Sequence, residues 1–262
     1  MFFSLPSWAV ALIVFGVIAA ACVAGAAIGR YLRVRHDTLK EPIGVVQGAL
    51  LGVVGLILAF GLTLAVGRYQ DRRSAAVAEA NAIETAYLRA QTIAEPARSR
   101  SLTLLRQYAD LALLIGYEVP SSAAIKRTTA AESALQRRLW SLAGSSLSAA
   151  PTDSSPRLYV DSLNAMFDQQ AARLAALNNR VPGAVLGLEV LGGALALGLL
   201  ALYLSVLGRG HVTMILAAGL VTMLLLVTFD LDRPTRGLIK VPDTALQSVR
   251  AAMTLPPAAK AP

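Results

Sequence analysis

Four apolar runs, at residues 8–28, 43–66, 184–207 and 212–229, constrain this chain more than any other feature. Only one charged residue, Glu189, falls inside them. A helix of roughly 20 residues crosses the ~30 Å hydrocarbon core of a bilayer, so each run is long enough to span it. Within that core the backbone finds no water, and a helix is the form in which one segment bonds all its own amides and carbonyls. The runs therefore predict an all-α integral membrane protein with four transmembrane helices in two hairpins. With 55% of the 262 residues hydrophobic and 15% charged, the chain is too apolar for a soluble domain of ordinary composition.

The segment MFFSLPSW ahead of the first run carries no lysine or arginine, and the run exceeds the apolar core of a typical signal peptide. A retained anchor is expected. Ala19-Ala20-Ala21-Cys22 has the composition of a lipoprotein cleavage site, yet no basic leader precedes it. Cys22, the single cysteine, is read as a small apolar residue, and no disulfide can form within the chain. The formal charge of +8 gathers mainly at the ends of the apolar runs, where anionic headgroups rather than nucleic acid supply the counter-charge.

The first transmembrane hairpin, 1–67, turns through RYLRVRHDTLKEP. Arg30, Arg33, Arg35 and Lys40 suit headgroup level there, and Pro42 suits the first turn of the next helix. Beyond Arg68 the alanine-rich stretch to Glu95 lacks proline and glycine, which predicts one helix continuing out of the second span until Pro96. Residues 68–182 then form a helical extramembrane domain. Its further helices are expected at 97–118, 121–142 and 157–180, separated at Pro120 and at SAAPTDSSP.

Each of these helices carries a narrow apolar stripe: Leu102, Leu105, Tyr108, Ala112 and Ile115; Ile125, Leu135, Leu139 and Leu142; Leu163, Met166, Leu174 and Leu177. Narrow stripes suit helices packed on one another or on a neighbouring subunit. The second hairpin, 183–230, turns in Gly208-Arg209-Gly210-His211, which forces antiparallel neighbours, and 231–262 reads as a polar tail. Four crossings place both termini and the middle domain on one membrane face. Arg68, Arg72, Arg73, Arg173, Arg180, Arg233, Arg236 and Lys240 on that side outnumber the basic residues of the hairpin loops, which points it to the cytoplasm.

Four groups of residues are functional candidates. Glu189, an acid near the start of the third span, reads either as a pore or proton-relay group or as an interfacial carboxylate. The second span holds Gly44, Gly48, Gly52, Gly55, Phe60 and Gly61; the first three share a helical stripe, which suits a pore lining or close helix packing. At the membrane exits, Arg68, Arg72 and Arg73 leave the second span, and Asp230, Asp232 and Arg233 leave the fourth. An ion-pair belt is expected there rather than a metal site, because two carboxylates at i and i+2 supply too few oxygen ligands for calcium. On the projecting helix, Glu79, Asn81, Glu84, Tyr87 and Arg89 either line an ion path or face solvent or a neighbouring subunit. No catalytic constellation and no cofactor are expected: His36 and His211, the only histidines, lie in hairpin loops without a metal-ligand or nucleophile motif.

GLILAFGLTLAVGRYQDRRSAAVAEANAIETAYLRA followed by FDLDRPTRGLIKV resembles the bestrophin-like family of unknown function over nearly the whole chain. The match runs through Glu79, Asn81, Thr85, Tyr87, Leu88 and Arg89, and through Asp232, Arg233, Pro234 and Gly237. The resemblance implies kinship with bestrophins, which are pentameric anion-conducting channels with four membrane helices per subunit and cytosolic termini. Where calcium-responsive bestrophins carry a denser acidic cluster, this chain has Asp230 and Asp232, and Phe60 is the only aromatic residue of its second span. The resulting expectation is a homo-oligomeric channel for inorganic ions, a pentamer by resemblance, with the second spans around its axis. The alternative is a non-conducting membrane scaffold or sensor whose middle domain binds a partner.

Overall fold

The computed structural model describes residues 7–35, 40–117, 123–208, 210–233 and 237–257. His36, Glu118, Pro120, Ser121, Arg209, Pro234 and Arg236 lie outside them, as do the side chains of Arg33, Arg35, Lys40 and His211. The described residues form eight helices and no strand: α1 (Ser7–Arg35), α2 (Lys40–Ala90), α3 (Ala97–Tyr117), α4 (Ala123–Ala149), α5 (Ser154–Asn178), α6 (Gly183–Leu207), α7 (His211–Leu231) and α8 (Thr244–Ala252). The four apolar runs fall in α1, α2, α6 and α7, each long and apolar enough to cross a membrane.

At 51 residues, α2 is about 75 Å long, more than twice the thickness of a bilayer core. Its continuation past Arg68 was legible in the sequence, but it stops at Ala90 rather than near Glu95. The Thr92 hydroxyl donates to the Arg89 carbonyl at 2.8 Å, and the Gln91 and Thr92 amides close tight turns onto Leu88 and Arg89. Those bonds satisfy terminal carbonyls that another turn of helix would have used.

The chain divides into two compact units: residues 1–69 with 180–239, and residues 70–179 with 240–262. In the first unit α1 crosses α6 at close range. A Cβ on Gly25 would strike the Gly198 backbone, and one on Gly29 would strike the Leu202 carbonyl. Small residues let the two backbones approach until dispersion contacts replace side-chain packing. Val14, Ile18, Cys22, Leu197 and Leu225 fill the interior. The turn between α6 and α7 uses left-handed backbone at Gly208 (φ 68°) and Gly210 (φ 93°), conformations that an L side chain resists. Leu12, Phe15, Val23, Leu195, Leu216 and Leu220 face outward, an arrangement that requires lipid or a neighbouring subunit as solvent.

The second unit packs α3, α4, α5 and α8 with the 70–90 part of α2. Ile83, Leu105, Tyr108, Leu139, Leu163 and Met166 form its core. The predicted stripes are the buried faces, with Leu142 and Leu174 only partly covered. α4 runs on to Ala149, seven residues past the expected end at 142, because Ala143 and Ser146 extend its buried face. The segment read as a polar tail contains α8, whose Leu246 and Val249 enter the core together with Met253. Three apolar residues on one face are too few to mark a short helix in a sequence.

Candidate functional site

Charged residues sit on the apolar faces of three helices in the second unit. Glu79 continues the stripe Ala76, Ile83 and Ala90 on α2; Glu132 falls between Ile125 and Leu139 on α4; Arg173 falls between Met166 and Leu177 on α5. Helical spacing therefore drives all three inward. Arg173 Nη1 donates to Glu79 Oε2 at 2.6 Å and to the Ala112 carbonyl at 2.9 Å, while Nη2 donates to Asp243 Oδ1 at 3.4 Å. The pair is dry, with side-chain exposures of 4% for Arg173 and 1% for Glu79.

Asp243 precedes α8, and its carboxylate occupies the space where a Cβ on Gly116 would stand. Burial pushes the Asp243 carboxyl above its ordinary range, and Arg173 opposes that shift. Beside this cluster Gln170 Nε2 donates to Glu132 Oε2 at 2.8 Å, and Gln136 Nε2 donates to the Tyr108 hydroxyl at 3.3 Å. Oε1 of Glu79 and of Glu132 are buried without a hydrogen-bond partner.

The other projecting-helix candidates divide between interior and surface. The Tyr87 hydroxyl donates to the Met253 carbonyl at 3.1 Å and accepts from Arg106 Nη2 at 2.8 Å, which fixes the end of α8. Arg89 Nη1 donates to the Leu158 carbonyl at 2.8 Å. Asn81 and Glu84 are exposed. Glu132, Gln170, Arg173 and Asp243 do not stand out as site residues in the sequence. A charge standing on an otherwise apolar helical stripe was the available signal.

In the membrane unit the glycines of α2 separate. A Cβ on Gly44 would press on the Tyr203 ring at 3.0 Å, and one on Gly61 would collide with the Glu189 carboxylate. Gly48, Gly52 and Gly55 have nothing within 4 Å of that position. Phe60 is 62% exposed, whereas Glu189 is 1% exposed with neither carboxylate oxygen hydrogen-bonded. Glu189 is thus seated against the α2 backbone, in the gap that Gly61 leaves.

Several exit residues engage backbone groups. Arg72 donates to the Ala176 carbonyl at 3.3 Å and to the Asn179 carbonyl at 2.8 Å, a cation placed on the negative end of α5. Asp230 accepts from the Leu238 and Ile239 amides, both at 2.8 Å, and buried Asp232 accepts from the Val181 amide at 3.0 Å. Arg233 is buried, Arg68 half-buried and Arg73 exposed. These aspartates pin the entry to α6 and the return after α7, a structural service the ion-pair expectation did not contain. Among the described residues no group of three or more His, Cys, Asp or Glu could hold a metal ion.

The family model for the Bestrophin-like domain matches residues 12–246, nearly the full chain. The chain belongs to the bestrophin-like family. A bestrophin homologue from Klebsiella pneumoniae, carrying one tyrosine-to-alanine substitution, has a similar fold with a TM-score of 0.66 and 13% identity. That similarity covers 90% of this bestrophin-like chain and 97% of the other. A second crystal structure of the Klebsiella pneumoniae homologue, phased on zinc, gives a TM-score of 0.66 at 12% identity over the same shares. A membrane protein with a proline-to-alanine substitution gives 0.67 at 13%, over 93% and 95% of the two chains. At such identities the likeness is one of fold. No curated protein sequence matches this bestrophin-like chain at a significant level.

Proposed function

We propose that this protein is a homo-oligomeric ion channel in which copies of α2 surround the axis, with the middle domain and both termini in the cytoplasm. The observation that carries this reading is the open face of α2. Gly48, Gly52 and Gly55 meet nothing and Phe60 stands 62% exposed, although the helix is apolar through this stretch. Among the described residues of its membrane part, the buried ones form a narrow stripe, Gln47, Val54, Leu58, Gly61 and Ala65. A helix so thinly held needs a second covering, and small residues suit either close approach of identical helices or a water path between them. Membership of the bestrophin-like family and the fold shared with a bacterial bestrophin homologue support the same assembly.

Glu189 belongs to this reading as an acid behind the α2 wall, one residue removed from the axis by Gly61. The exposed Phe60 supplies the only aromatic constriction that α2 can offer within its span. The decisive test starts with the oligomeric state in detergent, because a monomer refutes the axial pore. A ring is then reconstituted into liposomes and anion and cation flux are measured separately. Flux that falls with Gly52→Leu while the ring persists supports the pore, and an intact ring without flux of either ion refutes conduction. A cleft lined by Glu95, Arg100, Ser145, Ser146 and Asp153 in the helical unit favours a second reading, a non-conducting scaffold or sensor. A silent ring that retains a bound cellular partner would select it.

A further inference from the structure

The buried cluster around Arg173 has more acids than that guanidinium can serve. Arg173 is committed to Glu79, to Asp243 and to the Ala112 carbonyl. Glu132 is 0% exposed, and the single hydrogen bond found for its carboxyl is the Gln170 amide on Oε2. Its Oε1 faces the interior with no donor. Three carboxylates and one cation, fully ionised, would leave a surplus of negative charge in a dry core, which a protein interior avoids by binding a proton.

The groups that act on Glu132 come from each neighbouring helix. They are Glu79 of α2, Tyr108 of α3, and Gln170 and Arg173 of α5, with Gln136 of α4 holding the Tyr108 hydroxyl. Glu79 repels a charge on Glu132, while Gln170 and Arg173 favour it.

We propose that Glu132 is a regulatory proton-binding residue: protonated, it completes the buried α2–α3–α4–α5 contact, and losing its proton loosens that contact. Burial, opposed by the Gln170 hydrogen bond, raises its carboxyl to about 8, within reach of ordinary changes in pH. An anion formed at Glu132 competes with Glu79 for Arg173, so the disturbance is passed to the helix that continues into the membrane. The proposal does not depend on whether the chain conducts ions.

Trp140 reports on this contact, since its ring on α4 lies 6.2 Å from Phe167 on α5. With Trp8→Phe, Trp140 is the only tryptophan left in the full-length protein. Its fluorescence in detergent is expected to change reversibly with a midpoint near pH 8. Adding Glu132→Gln is expected to abolish the transition, whereas Asp110→Asn, at an exposed ion pair, should leave it in place. A flat titration between pH 6 and 9.5, or a transition that survives Glu132→Gln, overturns the proposal. Because Glu132→Gln can impair folding, infrared titration of the unsubstituted chain provides the second reading. A protonated-carboxyl band must be present at pH 6.5 and fade over the window of the Trp140 change, and its absence refutes the assignment.

Discussion

Replacing Arg173 with methionine keeps most of the side-chain volume and removes the only cation of the buried network. Glu79, 1% exposed, then loses its counter-ion, and the Ala112 carbonyl loses the side-chain donor it has beyond its helix. Removing one partner of a buried pair costs roughly 3–5 kcal/mol. A loss of that size is a large part of the stability of an ordinary domain. It is read from urea denaturation of the detergent-solubilised protein, followed by Trp140 fluorescence in the Trp8→Phe background. The companion variant Arg173→Met with Glu79→Leu removes both charges and is expected to recover about 2 kcal/mol or more, since an apolar replacement of a buried pair is often neutral. Acid should also relieve the single substitution, because a protonated Glu79 needs no counter-charge. A penalty below about 1 kcal/mol for the single variant, or a double variant no better than the single, would show that these groups are hydrated and refute the reasoning.

Glu132 should make stability depend on pH. Its folded carboxyl titrates near 8 against an ordinary 4.5, so the fold binds a proton that the unfolded chain releases. Stability therefore falls as pH rises from about 4.5 to 8 and levels off above it, by on the order of a few kcal/mol, and chemical denaturation of Glu132→Gln should lack this slope. Gly25→Ala sets a methyl against the Gly198 backbone and is expected to destabilise by roughly 1–3 kcal/mol, whereas Gly48→Ala meets nothing in the protomer. Thermal melts of the two variants as monomers test that contrast, and equal losses would contradict the α1–α6 crossing. Arg250→Ala removes a surface pair with Asp110, whose side chains are 30% and 52% exposed, and should cost under about 1 kcal/mol in the same melts.

The spans, their pairing into hairpins and the projection of α2 were legible because each depends on local composition: an apolar run of bilayer length, a four-residue turn, an alanine-rich stretch without proline. The apolar stripes on α3, α4 and α5 were legible for the same reason, as helical period needs only the sequence. The end of α2 was placed five residues late because hydrogen bonds from Thr92, and not Pro96 alone, terminate it. α8 was missed because its three buried residues gain their meaning from a groove that other helices build.

Partnership is what the sequence could not supply. Glu79 and Arg173 are 94 residues apart in the chain, and Asp243 is 70 beyond Arg173, so only folding makes them one network. Likewise, glycine spacing marked α2 as a packing helix, but the tertiary structure alone distinguished Gly61, filled by Glu189, from Gly48 and Gly52, which meet nothing. The sequence by itself determined which segments need lipid and which faces turn inward, because transfer free energy and helical period are properties of a segment. The tertiary structure decided which buried charges meet and which glycine face stays open, because those depend on distances between segments that no single segment encodes.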